Sequence, residues 1–336
     1  MWPITMAASS PLLLLRSFTP TKPFSKTILS LRKPLKFYSN SIRMEISEIE
    51  AEKKKIFVSG ATGKTGKRIV EQLLAKGFAV KAGVRDAEKA KSMFPNPNED
   101  LQIIKSDVTE GSEKLANAIG DDSDAVICAT GFQYSWDLLA PWKVDYYGTV
   151  NLVDACRKVG VKRFILVSSI LVNGAAMGQL LNPAYVFLNA FGLVLVAKLQ
   201  AEQYIRKSGI NYTIIRPGGL KNDPPSGNIV MEPEDTLSEG SISRDQVAEV
   251  AVESLLHPQA SFKVVEIVAR TEAPSKSFVE LFGSIKERSR LTHVLNSLKL
   301  IALVLVFSIA LMALQQLKIL KVLIGMTRRL NEDVGL

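Results

Sequence analysis

The stretch Phe57-Val58-Ser59-Gly60-Ala61-Thr62-Gly63-Lys64-Thr65-Gly66 limits the folds open to this chain more than any other. It places three glycines between a short apolar strand, 56–59, and a helix whose apolar stripe is Ile69, Val70, Leu73 and Leu74, with Gly77 as its stop. A strand that turns on glycines into a helix brings backbone N–H groups and the positive end of the helix dipole together, where they can hold a diphosphate. Gly60, Thr62, Gly63, Lys64, Thr65 and Gly66 are therefore candidate cofactor contacts, the glycines on the expectation that a Cβ would take the ligand's space. A phosphate-loop NTPase is disfavoured, because position 58, five before Gly63, is valine rather than glycine.

The same alternation continues down the chain. Strands are expected at 79–84, 101–105, 124–129, 164–167, 212–215 and 264–268, and helices at 87–93, 113–119, 144–158 and 197–208. Strands separated by helices imply a parallel sheet with crossover connections. The expected class is α/β, a doubly wound parallel sheet of Rossmann type in a single domain with a small C-terminal substrate region. The Pro-, Gly-, Asp- and Glu-rich stretch 222–240 is expected as a long loop, a natural place for a lid.

In such a fold ligands lie at the C-terminal ends of the strands. Arg85 ends the second strand, where a guanidinium can pair with the 2′-phosphate of NADP, and the adjacent Asp86 is placed to cap the next helix. Asp107 and Val108 end the third strand, near an adenine, and Ala129, Thr130 and Gly131 end the fourth, beside the nicotinamide ribose. NADP is thus the expected cofactor. The two cysteines, Cys128 and Cys156, and two histidines form no metal-ligand or disulfide pattern, and both thiols read as buried and reduced.

From about Lys55 to Lys286 these features resemble the extended and atypical short-chain dehydrogenase/reductase superfamily. The most specific stretch is Val144-Asp145-Tyr146-Tyr147-Gly148-Thr149-Val150-Asn151-Leu152-Val153-Asp154-Ala155, similar to that superfamily's helix after the fourth strand. Val167-Ser168-Ser169 and Arg216-Pro217-Gly218-Gly219 resemble its serine strand and a later turn. Within it, the chain is similar to NmrA-like and flavin-reductase-like plastid NAD(P)-binding proteins, including the dinucleotide domain of a plastid import component. The resemblance implies Lys198 and Ser169 as catalytic residues, Lys198 also holding the ribose, in a Tyr-x-x-x-Lys pattern. Here the pattern breaks. Val194 stands four residues before Lys198, and Tyr185 is too distant along a helix to replace a phenol there.

A hydride acceptor that takes its proton from water needs no such phenol. The expected activity is hydride transfer to a small-molecule acceptor, flavin-like or quinone-like. The apolar stretch 185–196, together with Trp136 and Trp142, would wall the acceptor pocket, although many of these side chains would serve as core. The alternative is a non-catalytic NADP-dependent redox sensor or scaffold at plastid membranes.

The ends differ from this body. Residues 1–44 contain no Asp or Glu but seven Lys and Arg among many Ser and Thr, which reads as an organellar transit peptide. The resemblance makes the organelle a chloroplast, with plastoglobule, thylakoid surface or stroma as the expected places. Without that leader the net charge falls from +9 to +2, and no basic face for nucleic acid is expected in residues 56–288. Residues 45–55 read as a linker. Residues 289–336 contain an apolar run, 300–314, shorter than the roughly 20 residues of a spanning helix. It reads as a membrane-associated tail, either spanning or lying in the surface, or as a docking helix.

Overall fold

The computed structural model describes residues 53–95, 99–133 and 137–286. The leader 1–44, the tail 289–336 and Trp136 lie outside the described residues. No single helix among the described residues is long and apolar enough to cross a membrane.

Eight strands form one sheet in the order β3-β2-β1-β4-β5-β6-β10-β8. They are β1 (Lys55–Ser59), β2 (Ala79–Val84), β3 (Leu101–Lys105), β4 (Ala125–Cys128), β5 (Arg163–Val167), β6 (Asn211–Pro217), β8 (Asn228–Pro233) and β10 (Lys263–Arg270). All neighbours pair in parallel except β8, which is antiparallel to β10 at the edge. A separate parallel pair joins β7 (Gly219–Lys221) to β9 (Ser241–Ser243). The helices are α1 (Lys64–Ala75), α2 (Ala87–Met93), α3 (Ser112–Ile119), α4 (Gly148–Val159), α5 (Pro183–Ala190), α6 (Val194–Lys207), α7 (Arg244–Leu256) and α8 (Phe278–Ser284).

The doubly wound class follows from how β1 alternates. Ile56 and Val58 face one layer, with Ile69, Val70 and Leu73 of α1 and Val247, Val250 and Ala251 of α7. Phe57 faces the other, with Leu115 and Ile119 of α3 and Leu152, Val153 and Cys156 of α4. Successive strand residues point to opposite faces, so a strand apolar at every position must be covered by helices on both sides. Cys128 and Cys156 are free and buried, as expected.

Three expectations need correction. The stretch 222–240 is not one open loop: β8 runs through it, because the carboxylates and apolar residues after Gly227 have partners far along the chain. The expected helix 144–158 is preceded by a wider π-helical turn, Trp142–Tyr147, before α4 begins. Helices α5, α7 and α8 were not anticipated, although Ser243 with Gln246 and Ser277 with Glu280 form capping boxes that mark two of them.

A buried charge cluster gathers around the end of β6. Arg216, 1% exposed at the end of β6, bonds Glu202 of α6 at 2.6 and 3.0 Å, Asp235 at 2.8 Å and Glu266 of β10 at 3.2 Å. Glu266 also accepts the N–H groups of Asp235, Thr236 and Leu237 at 2.6–3.0 Å. The segment after β8 is thereby tied to β6 and α6. Removing one member of a buried ionic cluster strands the others without compensation. Arg216→Ala should lower unfolding free energy by about 3–5 kcal/mol, measured by urea denaturation at neutral pH; an unchanged midpoint would show that the cluster carries no such load.

Candidate functional site

The C-terminal ends of β1, β2 and β4 lie level, since Ser59 pairs with both Gly83 and Cys128. This is where strand order reverses, β2 lying to one side of β1 and β4 to the other, and ligands of such sheets bind there. Gly60 and Ala61 donate their N–H groups to the Gly83 carbonyl, both at 3.2 Å, and Ala129 donates to Ser59 at 3.0 Å. The turn after β1 is thus bolted to both neighbours.

Two of the glycines have a steric reason that holds without any ligand. Gly60 has φ +78°, and a Cβ there would lie 2.9 Å from the Ala129 carbonyl oxygen. A Cβ on Gly66 would lie 2.1 Å from the Gly60 carbonyl oxygen. Both collisions are with backbone, so these two glycines let the turn and the helix close on each other before any ligand is considered. Gly63 has ordinary extended geometry, and a Cβ there would be 3.1 Å from Gly60 O.

Helix α1 starts with no side-chain cap and no acidic residue in its first turn. Its leading N–H groups and dipole are left to whatever lies beyond the helix end, which fits a dinucleotide's diphosphate. Thr62, Lys64 and Thr65 stand on this turn, with Lys64 exposed.

On the adenosine side, Arg85 is exposed directly after β2. Asp86 accepts from Lys89 N at 3.0 Å and caps α2, as expected. The Asp107 carboxylate accepts from both Thr109 N and Thr109 Oγ1, at 2.9 and 2.8 Å, so it serves as a local cap at the place where an adenine contact was expected. Val108 is buried and packs where a Cβ on Gly148 would come within 2.6 Å of it.

Where the nicotinamide ribose was expected, β4, the π turn and α6 come together. Thr130 Oγ1 lies 3.0 Å from Cys128 Sγ. Lys198 Nζ donates to Asp145 Oδ1 at 2.7 Å, and Asp145 Oδ2 accepts from Phe132 N at 3.2 Å. Burial opposes the Lys198 charge, but the Asp145 carboxylate outweighs it, and the ammonium is held above its ordinary pKa. Burial also pushes the Cys128 thiol up, so it is not a nucleophile. Asp145 was not singled out from the sequence; the signal was a carboxylate within a stretch whose register otherwise buries small and apolar residues.

Of the two serines, Ser168 is buried and donates to Glu202 at 2.6 Å, within the Arg216 cluster, whereas Ser169 is half-buried beside it. Val194, 7% exposed, occupies the first position of α6, one turn before Lys198. Tyr185 is buried against Gly174 in the cluster formed by Ile170, Leu171, Leu195 and Leu199. The apolar stretch 185–196 divides: Tyr185, Val194 and Leu195 are buried, while Val186, Phe187 and Leu193 stand about half exposed. Leu171, Leu193 and Asp235 hold positive φ of 60–63°, a strained state for such residues that clusters at functional sites.

Comparison with known proteins agrees with this geometry. The family model described as NAD(P)H-binding matches residues 60–258. An uncharacterised chloroplastic protein of Arabidopsis thaliana is 73% identical over 248 residues, which are 73% of this chain and 88% of that protein. The chloroplastic protein TIC 62 of the same plant is 36% identical over 284 residues, 77% of this chain but 43% of its own length, so the chain spans less than half of that relative. An oxidoreductase of Lactococcus lactis of known structure superposes with a TM-score of 0.54 at 28% identity, covering 68% of this chain and 95% of the other. Both plant names agree with the chloroplast location expected from the leader.

The two kinds of glycine should separate in experiment. Gly66→Ala is expected to weaken NADPH binding at least tenfold and lower the melting temperature, because the Gly60 backbone cannot yield, while Gly63→Ala changes stability little. Fluorescence titration and thermal melts of both variants decide it; equal behaviour would contradict the steric assignment.

Proposed function

We propose a function from one premise: the chain belongs to the NAD(P)H-binding family and is an oxidoreductase-like Rossmann protein of the chloroplast. The proposal is that it prefers NADP and passes hydride to a flavin-like or quinone-like acceptor. One observation carries it. The position one helical turn before Lys198 holds Val194, and the Lys198 ammonium bonds Asp145 instead of supporting a phenol.

When bound, the reduced nicotinamide supplies a hydride. The residues of the chain then do four things. The turn Gly60–Gly66 and the start of α1 receive the diphosphate, and Arg85 meets the extra phosphate on the adenosine ribose. Thr130, Gly131 and Lys198 orient the nicotinamide ribose. Ser169 and the rim of Phe187 and Leu193 face the acceptor, and Val194 makes that wall apolar. With Val194 four residues before Lys198, acceptors whose reduced form is protonated by water are favoured over simple carbonyls. The description of the Lactococcus relative as an oxidoreductase supports this reading.

A second reading, a redox-sensing scaffold, is favoured by the apolar side chains left outside on α5 and its approach, including Leu181, Val186 and Phe187. The cofactor could bias attachment only if the attached and free states bind it with different affinities. Flotation with plastid membrane vesicles at varied NADP/NADPH ratios separates the two: a bound fraction that does not follow the ratio removes the sensor.

The enzymatic reading is tested by offering purified protein NADPH with a panel of flavins and quinones and following absorbance at the nicotinamide band. Turnover is expected, and tight NADPH binding without turnover on any acceptor would overturn it. Loss of a charge-assisted bond costs about 1.5–3 kcal/mol, so Arg85→Ala should weaken NADPH binding by roughly ten- to a hundredfold and leave NADH binding nearly unchanged. Equal losses for both nucleotides would reject the 2′-phosphate role.

A further inference from the structure

Beyond β6, away from the cofactor turn, another cavity opens where β7, β9 and the end of β10 meet. Its volume is about 300 Å³, at the lower end of the usual range for ligand pockets. Ala269, which lines it, packs in the layer of α1 and α7, whereas Val268 before it joins the cluster of Leu195 and Leu199 from α6. The cavity therefore opens on the face of the sheet opposite the helix that carries Lys198. Strands β5 and β6 also separate β10 from β4, so at about 4.8 Å per strand it stands roughly 14 Å across the sheet from the expected nicotinamide ribose. The walls are fixed by bonds to the surrounding elements. Gly218 donates to the Ile267 carbonyl and Gly219 to the Gly240 carbonyl, both at 2.9 Å, which presses the small β7–β9 pair onto β10. Arg244 donates to Leu220 O at 3.2 Å and Asn222 Oδ1 at 2.8 Å, and Gln246 of the α7 capping box donates to Gly227 O at 3.0 Å. A two-stranded pair of three residues a strand would not stand on its own, and these contacts give the cavity its shape before a ligand arrives.

The groups around the cavity are mostly polar, and several are unengaged. Lys221 at the end of β7 and Arg270 at the end of β10 have no carboxylate within ion-pair distance among the described residues. Asp223 and the hydroxyls of Ser226 and Ser241 likewise have no side-chain partner among the described residues. Glu272 is already taken up by its own N–H and by the Thr271 hydroxyl at 3.2 Å, which hold its carboxyl below the ordinary range. We infer that this cavity binds a small soluble phosphorylated polyol, its phosphate offsetting Lys221 and Arg270 and its hydroxyls donating to Asp223 and exchanging bonds with Ser226 and Ser241. Two cations on facing walls suit a phosphate, and a carboxylate beside them can only accept, which suits a ligand that also carries hydroxyls. The apolar members of the wall, Pro224, Ile242 and Ala269, are too few to cover a flavin or quinone ring. The volume is likewise small for a second dinucleotide. The site is independent of the proposed hydride transfer.

The test is isothermal titration calorimetry on the full chain saturated with NADPH, so that the dinucleotide turn is filled. The probes are glucose phosphate, ribose phosphate, glycerol phosphate, inorganic phosphate and glucose. At least one of the three esters is expected to bind saturably and at least tenfold more tightly than phosphate or glucose alone. Lys221→Ala and Arg270→Ala should each weaken that ester by about tenfold or more, Lys221→Arg should keep most of the affinity, and Arg85→Ala should leave it unchanged. Both cationic residues are exposed, so their variants should melt with the wild type. No saturable binding of any ester, equal affinity for inorganic phosphate, or a loss caused by Arg85→Ala and not by Lys221→Ala overturns the inference. Vesicles of phosphatidylglycerol, offered in a sedimentation arm, separate a lipid headgroup from a soluble ester, and binding to vesicles alone would also overturn it. A chain that ignored NADPH would remove the cofactor reading and leave this site to be judged by the same esters.

Discussion

The close approach of the Gly66 backbone to the Gly60 carbonyl sets the geometry from which the rest of the site follows. Because no side chain intervenes, α1 begins almost on top of the strand it leaves, and its N-terminus has no side-chain cap. The turn is held from both sides, by Gly83 at the end of β2 and by the Ser59–Ala129 bond to β4. A site made of backbone groups on three adjacent strands is rigid before a ligand arrives, which reduces the ordering cost of binding.

The nicotinamide side uses a different principle. There, position is decided by buried charges that must be compensated. Helix α6 carries Lys198 and Glu202 one turn apart, so the two side chains lie on neighbouring parts of one face. Lys198 reaches to Asp145 at the mouth of β4, and Glu202 reaches to Arg216 and Ser168 at the ends of β6 and β5. Through these two side chains the helix is anchored by ion pairs of opposite polarity, one to the π turn before α4 and one to β6. Arg216 in turn ties in Asp235 and Glu266, so the segment after β8 shares the same anchorage. This chain of compensated charges ties the substrate-side segments to the sheet where the apolar core alone would allow sliding, since ionic partners specify each other more narrowly than apolar ones do. Strained backbone at Leu171, Leu193 and Asp235 falls on these same segments.

Where interactions are local, the sequence is readable. The strand, turn and helix at 55–75 are marked by apolar runs and glycine spacing, and α2 by Asp86 as its cap. The edge strand β8 is not, because its pairing partner β10 lies more than 30 residues away and its short apolar core, Ile229 to Met231, is surrounded by Pro, Gly and acidic residues typical of a loop. Ser168 and Ser169 look alike in sequence, but a pleat separates them, and only Ser168 meets Glu202. The Asp107 carboxylate, read from the sequence as an adenine contact, also caps its own turn, one oxygen taking both the N–H and the hydroxyl of Thr109.

By itself the amino-acid sequence determined the α/β class, the order of the first strands and helices and the glycine-rich turn between the first strand and its helix, because each rests on neighbours a few residues apart and on period and spacing. Only the tertiary structure decided that Gly60 and Gly66 serve backbone packing, that Lys198 is held by Asp145, and that a cluster around Arg216 joins β6, α6, β10 and the segment after β8. These depend on which groups fifty or more residues apart, or on separate elements, are brought together out of water, and a buried charge acquires a role only when the fold supplies its counter-charge.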